Sequence, residues 1–100
     1  MRHFSVKLSD QALDDADRVY DFICNQVLAP MTAALYYQGL LSKMRSLERG
    51  ADALAIDMAL SARYGVPIRR INYKKLAILY SIEDDLVIIE RVIPQSMIIY

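Results

Sequence analysis

Arg69-Arg70-Ile71-Asn72-Tyr73, then Leu76-Ala77-Ile78-Leu79-Tyr80-Ser81-Ile82, Glu83-Asp84-Asp85 and Leu86-Val87-Ile88-Ile89-Glu90-Arg91-Val92-Ile93 form the stretch that decides the fold. Apolar and β-branched runs of strand length, separated by short polar turns, predict three successive antiparallel strands at 67–73, 76–82 and 86–93. In the first, Arg69, Ile71 and Tyr73 share one face while Ile68, Arg70 and Asn72 share the other. Lys74-Lys75 makes the turn that follows it. The second and third strands are apolar on both faces, which suits central strands with helices on one side and partial cover on the other. Pro94 then ends regular pairing or confines the chain to an edge.

Working outward, Phe4, Val6 and Leu8 alternate with His3, Ser5 and Lys7, the period-two pattern of a further strand at 3–8 with one buried face. Ser9 or Asp10 can cap the helix that follows, predicted over 10–28. Leu13, Ala16, Tyr20, Ile23 and Val27 recur at spacings of three and four, which sets them on one stripe. Asp10, Asp14, Asp15 and Asp17 suit the positive end of the helix dipole and form a solvated face, with Asp14 able to pair with Arg18. Ala29-Pro30 breaks this helix, and proline at the first position opens a second one, predicted over 30–49 and ended by Gly50. Ala33, Tyr37, Leu40, Met44 and Leu47 give it an apolar stripe, and the two helices should pair as an antiparallel hairpin. Tyr20, Tyr36, Tyr37 and Met44 read as packing residues rather than a ligand box. Residues 51–65 have helix propensity, but their apolar residues point several ways, so an irregular connection with one helical turn is expected.

Composition narrows the function. One hundred residues make a single domain, 1–100, with one core. Twelve basic against twelve acidic residues leave no net charge, whereas a protein held to nucleic acid through phosphates carries a surplus of Lys and Arg. With one cysteine, Cys24, no intramolecular disulfide can form, and with one histidine, His3, the pair cannot make a zinc site without ligands from elsewhere, so no metal or other cofactor is expected. No export signal or membrane span is visible, which predicts a cytoplasmic protein. The 55% hydrophobic content and the apolar segment Met97-Ile98-Ile99-Tyr100 point to a partner surface there.

The order of strand, helix hairpin and three-strand meander, an α+β arrangement with one sheet packed on the helices, resembles the RelE/ParE family of bacterial toxins over essentially the whole chain. The resemblance rests on the opening strand running into Leu8-Ser9-Asp10-Gln11-Ala12, the helix break at Pro30, Gly65 ahead of Arg69, and Leu79-Tyr80-Ser81-Ile82-Glu83-Asp84-Asp85 followed by Val87-Ile88-Ile89 and Arg91-Val92-Ile93. It implies the toxin of a type II toxin–antitoxin, or plasmid-stabilisation, module that inhibits growth and is neutralised by a cognate antitoxin lying across the hairpin and sheet.

Members of the RelE kind are ribosome-dependent mRNA endonucleases, and members of the ParE kind poison DNA gyrase by binding. Metal-free RNA cleavage needs a base for the 2′-hydroxyl, cations for the phosphate and an acid for the leaving oxygen. The position that RelE-like nucleases fill with Arg in the third strand of the fold looks like Ala77 here, and Pro94-Gln95-Ser96-Met97 after the last strand carries no basic residue. The remaining candidates for catalysis are Arg69, Arg70, Lys74, Arg91, Tyr80 and Tyr100. The resemblance is therefore closer to ParE, with inhibitory binding to a target such as gyrase. The alternatives are an mRNA endonuclease acting at the ribosome, or a degenerate relative that only dimerises through Met97 to Tyr100.

Overall fold

In the computed structural model, which describes residues 2–26 and 30–98, five strands form one sheet in the order β1-β5-β4-β3-β2. They are β1 Ser5–Leu8, β2 Ile56–Asp57, β3 Ile68–Tyr73, β4 Leu76–Glu83 and β5 Leu86–Pro94. The helices are α1 Asp10–Gln26, α2 Pro30–Arg45 and α3 Met58–Tyr64. The three-strand meander is present, with β4 and β5 at the centre as their two apolar faces require. Its two-residue turns put Lys74 and Asp84 at positive φ, 52° and 56°. Aspartate tolerates that conformation better than most side chains, whereas lysine there is uncommon.

The two faces of β4 are buried against different helices. Ile78 and Tyr80 join Val87, Ile89 and Val92 in the main core, which is completed by Ala12 and Ala16 of α1 and Leu40 and Met44 of α2. Ala77 and Leu79 face the other way and form a smaller cluster with Ile68 and with Leu60 of α3. The stripe predicted for α2 is correct: Ala33, Leu40, Met44 and Leu47 are buried and Tyr37 half-buried. Gly39 of α2 has a packing reason, because the Tyr73 hydroxyl occupies the space that a β-carbon would need. That hydroxyl donates to the Tyr36 carbonyl at 3.1 Å, which ties α2 to β3.

Three expectations need correction. Residues 51–65 are more regular than their scattered apolar pattern suggests: a short 3-10 turn leads into β2 and α3. The Asp57 carboxylate accepts from the Leu60 N–H at 3.0 Å to cap α3, and Gly65 closes it at φ 74°. The second long helix ends at Arg45, and a 3-10 turn over Ser46–Glu48 carries the chain to Gly50, which is left-handed at φ 84°. The buried stripe of α1 is also rotated. Ala12, Asp15 and Ala16 are buried and Val19 half-buried, while Leu13 is 47% exposed. The predicted stripe residue Val27 lies outside the described residues.

Candidate functional site

β1 runs parallel to β5 and covers only its first half, from Ser5 opposite Leu86 to Leu8 opposite Ile89. Beyond Ile89 the outer edge of β5 has no neighbouring strand among the described residues. Ser9 makes the transition. Its N–H donates to the Ile89 carbonyl at 2.9 Å, its hydroxyl donates to the Glu90 carbonyl at 2.9 Å, and the same oxygen accepts from the Ala12 N–H to cap α1. The expected alternatives, Ser9 or Asp10, are thus resolved to Ser9.

One and a half turns into α1, Asp15 takes the place a strand would have occupied. It is only 6% exposed, and its Oδ2 accepts from the Val92 backbone N–H at 3.0 Å. Arg91 closes on the same carboxylate with two bonds, Nε to Oδ2 at 2.7 Å and Nη2 to Oδ1 at 3.1 Å. A buried carboxylate needs this kind of full partnering, because leaving it charged and unmatched out of water is strongly unfavourable. The hydrogen bond from Arg91 to Asp15 holds the guanidinium above its ordinary pKa against the opposing effect of burial. Asp15 is therefore a structural residue, not part of a solvated acidic face, and the partner of Arg18 is Asp15 at 4.0 Å rather than Asp14.

A bulge helps to bring these groups together. Tyr80 faces Ile89 while Leu79 faces Arg91, so Glu90 has no residue opposite it. The extra residue turns the second half of β5, and the Glu90 carboxylate accepts from the Ser81 hydroxyl at 3.1 Å.

Along this half of β5 lies an apolar groove of about 710 Å³. Val19, Phe22 and Ile23 of α1 form one wall, spaced three and four apart so that they share a helix face, and Val92, Ile93 and Pro94 form the floor. Met97 closes one side at 64% exposure, and Phe22 stands 62% exposed. Arg18, Lys75 and Arg91 are the cations of the lining and Asp15 its one acid. A pocket of this composition holds apolar side chains and offers positive charge at its margin.

The predicted catalytic candidates do not share one arrangement. Tyr80 is fully buried and its hydroxyl donates to the Ala51 carbonyl at 2.7 Å, and burial pushes its pKa up to about 12. Arg69 donates to the Leu54 carbonyl at 2.8 Å, and Arg70 to the Asn72 side chain at 3.1 Å. Lys74 sits over the rings of Tyr36 and Tyr73, 5.2 and 5.7 Å from their centres. The register places Arg70 and Arg91 on either side of Leu79, but Arg91 is turned to Asp15. Of the predicted partner segment, Met97 borders the groove and Ile98 packs against the smaller core cluster. Ile99 and Tyr100 lie outside the described residues. Among the described residues no group of His, Cys, Asp or Glu could hold a metal ion, and no helix is long and apolar enough to cross a membrane.

Of the groove residues of α1, Ile23 stands on the predicted stripe, whereas Val19 and Phe22 lie off it and escaped sequence reasoning. One signal was available. Asp15 stands next to Ala16, three residues after Ala12, and so falls on a face otherwise made of small apolar side chains.

A five-stranded sheet with a parallel first strand, an antiparallel meander and a helix pair on one face defines the RelE/ParE-like class of α+β domains. A family model described as the ParE toxin of type II toxin–antitoxin systems, parDE, matches residues 6–99, and the chain belongs to that family. Among solved structures, the chromosomal ParDE toxin–antitoxin system from P. aeruginosa has a similar chain with a TM-score of 0.75 at 19% identity, covering 92% of this chain and 96% of that one. No curated protein sequence matches.

Proposed function

We propose that this chain is a cytoplasmic toxin that inhibits growth by binding a protein target such as DNA gyrase, and that a cognate antitoxin neutralises it by filling the groove beside β5. The observation that carries the reading is the groove itself, an apolar channel with Phe22 and Met97 largely exposed on a small domain. Exposed apolar surface of this kind marks a place where a protein partner sits. A balanced charge and candidate cations already engaged with carbonyls, aromatic rings or Asp15 support binding rather than RNA cleavage.

The experiment is the viable count of a bacterial culture after tightly controlled induction of this chain alone and beside the adjoining gene. A fall that the neighbour reverses supports the reading. No fall with soluble protein present rejects it. Purified toxin added to gyrase then separates the targets: inhibited supercoiling supports gyrase, and unaffected supercoiling with cleaved mRNA on translating ribosomes supports the nuclease. The one observation in favour of the nuclease is the placement of Arg70 and Arg91 either side of Leu79. In that case Arg70→Ala abolishes cleavage.

A further inference from the structure

We infer that the chain binds a phosphate group, of the kind that ends a nucleotide or another small phosphomonoester, in a second cavity between the β3–β4 turn and the residues that follow β5. The cavity holds about 380 Å³ and is lined by Lys74, Lys75, Pro94, Gln95 and Ser96. It borders the apolar groove, with which it shares Lys75 and Pro94, but its chemistry is different: two cations, an amide and a hydroxyl, and no acid.

The two walls of the cavity are fixed to each other by Gln95, which ties three successive carbonyls of the turn. Its N–H donates to the Lys75 carbonyl at 2.9 Å, and its side-chain Nε2 donates to the carbonyls of Lys74 at 2.9 Å and Leu76 at 3.4 Å. Oxygens that would repel an anion are thereby engaged with donors. Lys74 stands at φ 52°, a conformation that glycine and asparagine adopt more readily than lysine. Its ammonium lies 5.2 and 5.7 Å from the centres of the Tyr36 and Tyr73 rings, contacts that restrain a long side chain without neutralising it.

The charge of this corner is uncompensated. Among the described residues neither Lys74 nor Lys75 has a carboxylate within ion-pair distance, and the salt bridges there belong to Arg2, Arg18 and Arg91. The acidic turn Glu83-Asp84-Asp85 lies at the far end of β4, which runs from Leu76 to Glu83. That is roughly 23 Å away at the rise of an extended strand, well beyond a Debye length of about 8 Å. The overall balance of basic and acidic residues therefore hides a local excess of two positive charges.

The pattern of donors selects the ligand. A lysine ammonium is a point donor that suits the tetrahedral oxygens of a phosphate, whereas the fork of an arginine grips a planar carboxylate best. A phosphomonoester approaches two negative charges at neutral pH, matching the pair, and the Ser96 hydroxyl is a further donor at the cavity wall. One pair of lysines on a chain without net charge suits one terminal phosphate, because a nucleic-acid backbone is held by a series of cations.

The test is calorimetric titration of the full chain with adenosine monophosphate and, separately, with inorganic phosphate, accompanied by backbone amide shifts. Saturable one-to-one binding of both, with shifts centred on Lys75 and Ser96, is the expected result. Lys74→Gly and Lys75→Ala should each lower the affinity on the order of tenfold, and acidification from about pH 7.5 to about 5 should weaken binding as the phosphate gives up its second charge. Lack of saturation below about 10 mM overturns the inference, as does an unchanged affinity in both variants. Succinate bound as tightly as adenosine monophosphate overturns the choice of phosphate, and a DNA oligonucleotide without terminal phosphates bound more tightly overturns the choice of a small ligand. Glycine suits φ 52°, so Lys74→Gly keeps the turn, and a thermal melt of each variant shows that it is folded. The titration needs no partner protein, so its outcome is independent of the toxin reading.

Discussion

The two halves of β5 solve the same problem by different means. Leu86–Ile89 is hydrogen-bonded to strands on both sides and sends Val87 and Ile89 into the main core. Glu90–Pro94 keeps β4 on one side, on the other has Ser9 and the buried Asp15 in place of a strand, and ends in a proline that has no N–H to offer. The first half is closed by backbone and can do nothing but hold the sheet. The second is closed by side chains, which leaves its apolar surface open as a groove. Where strand pairing stops but every exposed N–H is still answered, a sheet edge becomes a binding surface without becoming an aggregation site.

The largest expected effect lies in the paired half. Ile89→Ala should lower unfolding free energy by about 2–5 kcal/mol in urea titration, the loss typical of a fully buried aliphatic side chain. A smaller loss would mean that the core beneath β1 can collapse around the cavity. In the open half, Asp15→Ala should lower stability by about 2–3 kcal/mol, because it strands the Val92 N–H and the Arg91 guanidinium together. An Asp15→Ala protein as stable as the parent would show that water can replace the aspartate and would dissolve the contrast between the halves.

Tyr80→Phe, across the sheet from Ile89, should lose about 1–2 kcal/mol by leaving the Ala51 carbonyl unmatched. It should also change the alkaline limb of stability. The Tyr80 hydroxyl titrates at about 12 in the folded protein against an ordinary value of 10. Its neutral form is favoured by folding, so its contribution is fully present below about 10 and is lost as pH rises toward 12. Urea titrations across that range should fall less steeply in Tyr80→Phe than in the parent. The smallest effect on stability is expected from Phe22→Ala, within about 0.5 kcal/mol because the ring is exposed. The same variant should bind the antitoxin at least about fivefold more weakly by calorimetry, since a large aromatic at a groove anchors a partner. An unchanged affinity would place the partner elsewhere on the domain.

Much of the fold was legible because strand periodicity and turn residues are local signals. The meander followed from apolar runs broken by Lys74-Lys75 and Glu83-Asp84-Asp85, and the break at Pro30 separated the helices. In 51–65 the scattered apolar residues hid two local signs, Asp57 as a cap and Gly65 as a terminator, that bracket α3. Of the site, Arg91 was visible as a cation on a strand and Met97 as part of an apolar segment. Val19, Phe22 and Asp15 were not, because the rotation of α1 about its axis is set by what it packs against.

By itself the sequence determined the first strand, the helix pair and the three-strand meander in their order, the α+β class and the family resemblance, since each follows from residues close together in the chain. Only the tertiary structure decided that β1 lies parallel to β5 and ends at its midpoint, and that Asp15 reaches Val92, 77 positions away in the chain. Such pairings depend on which buried polar groups must be satisfied once distant elements meet, a condition that no local pattern records.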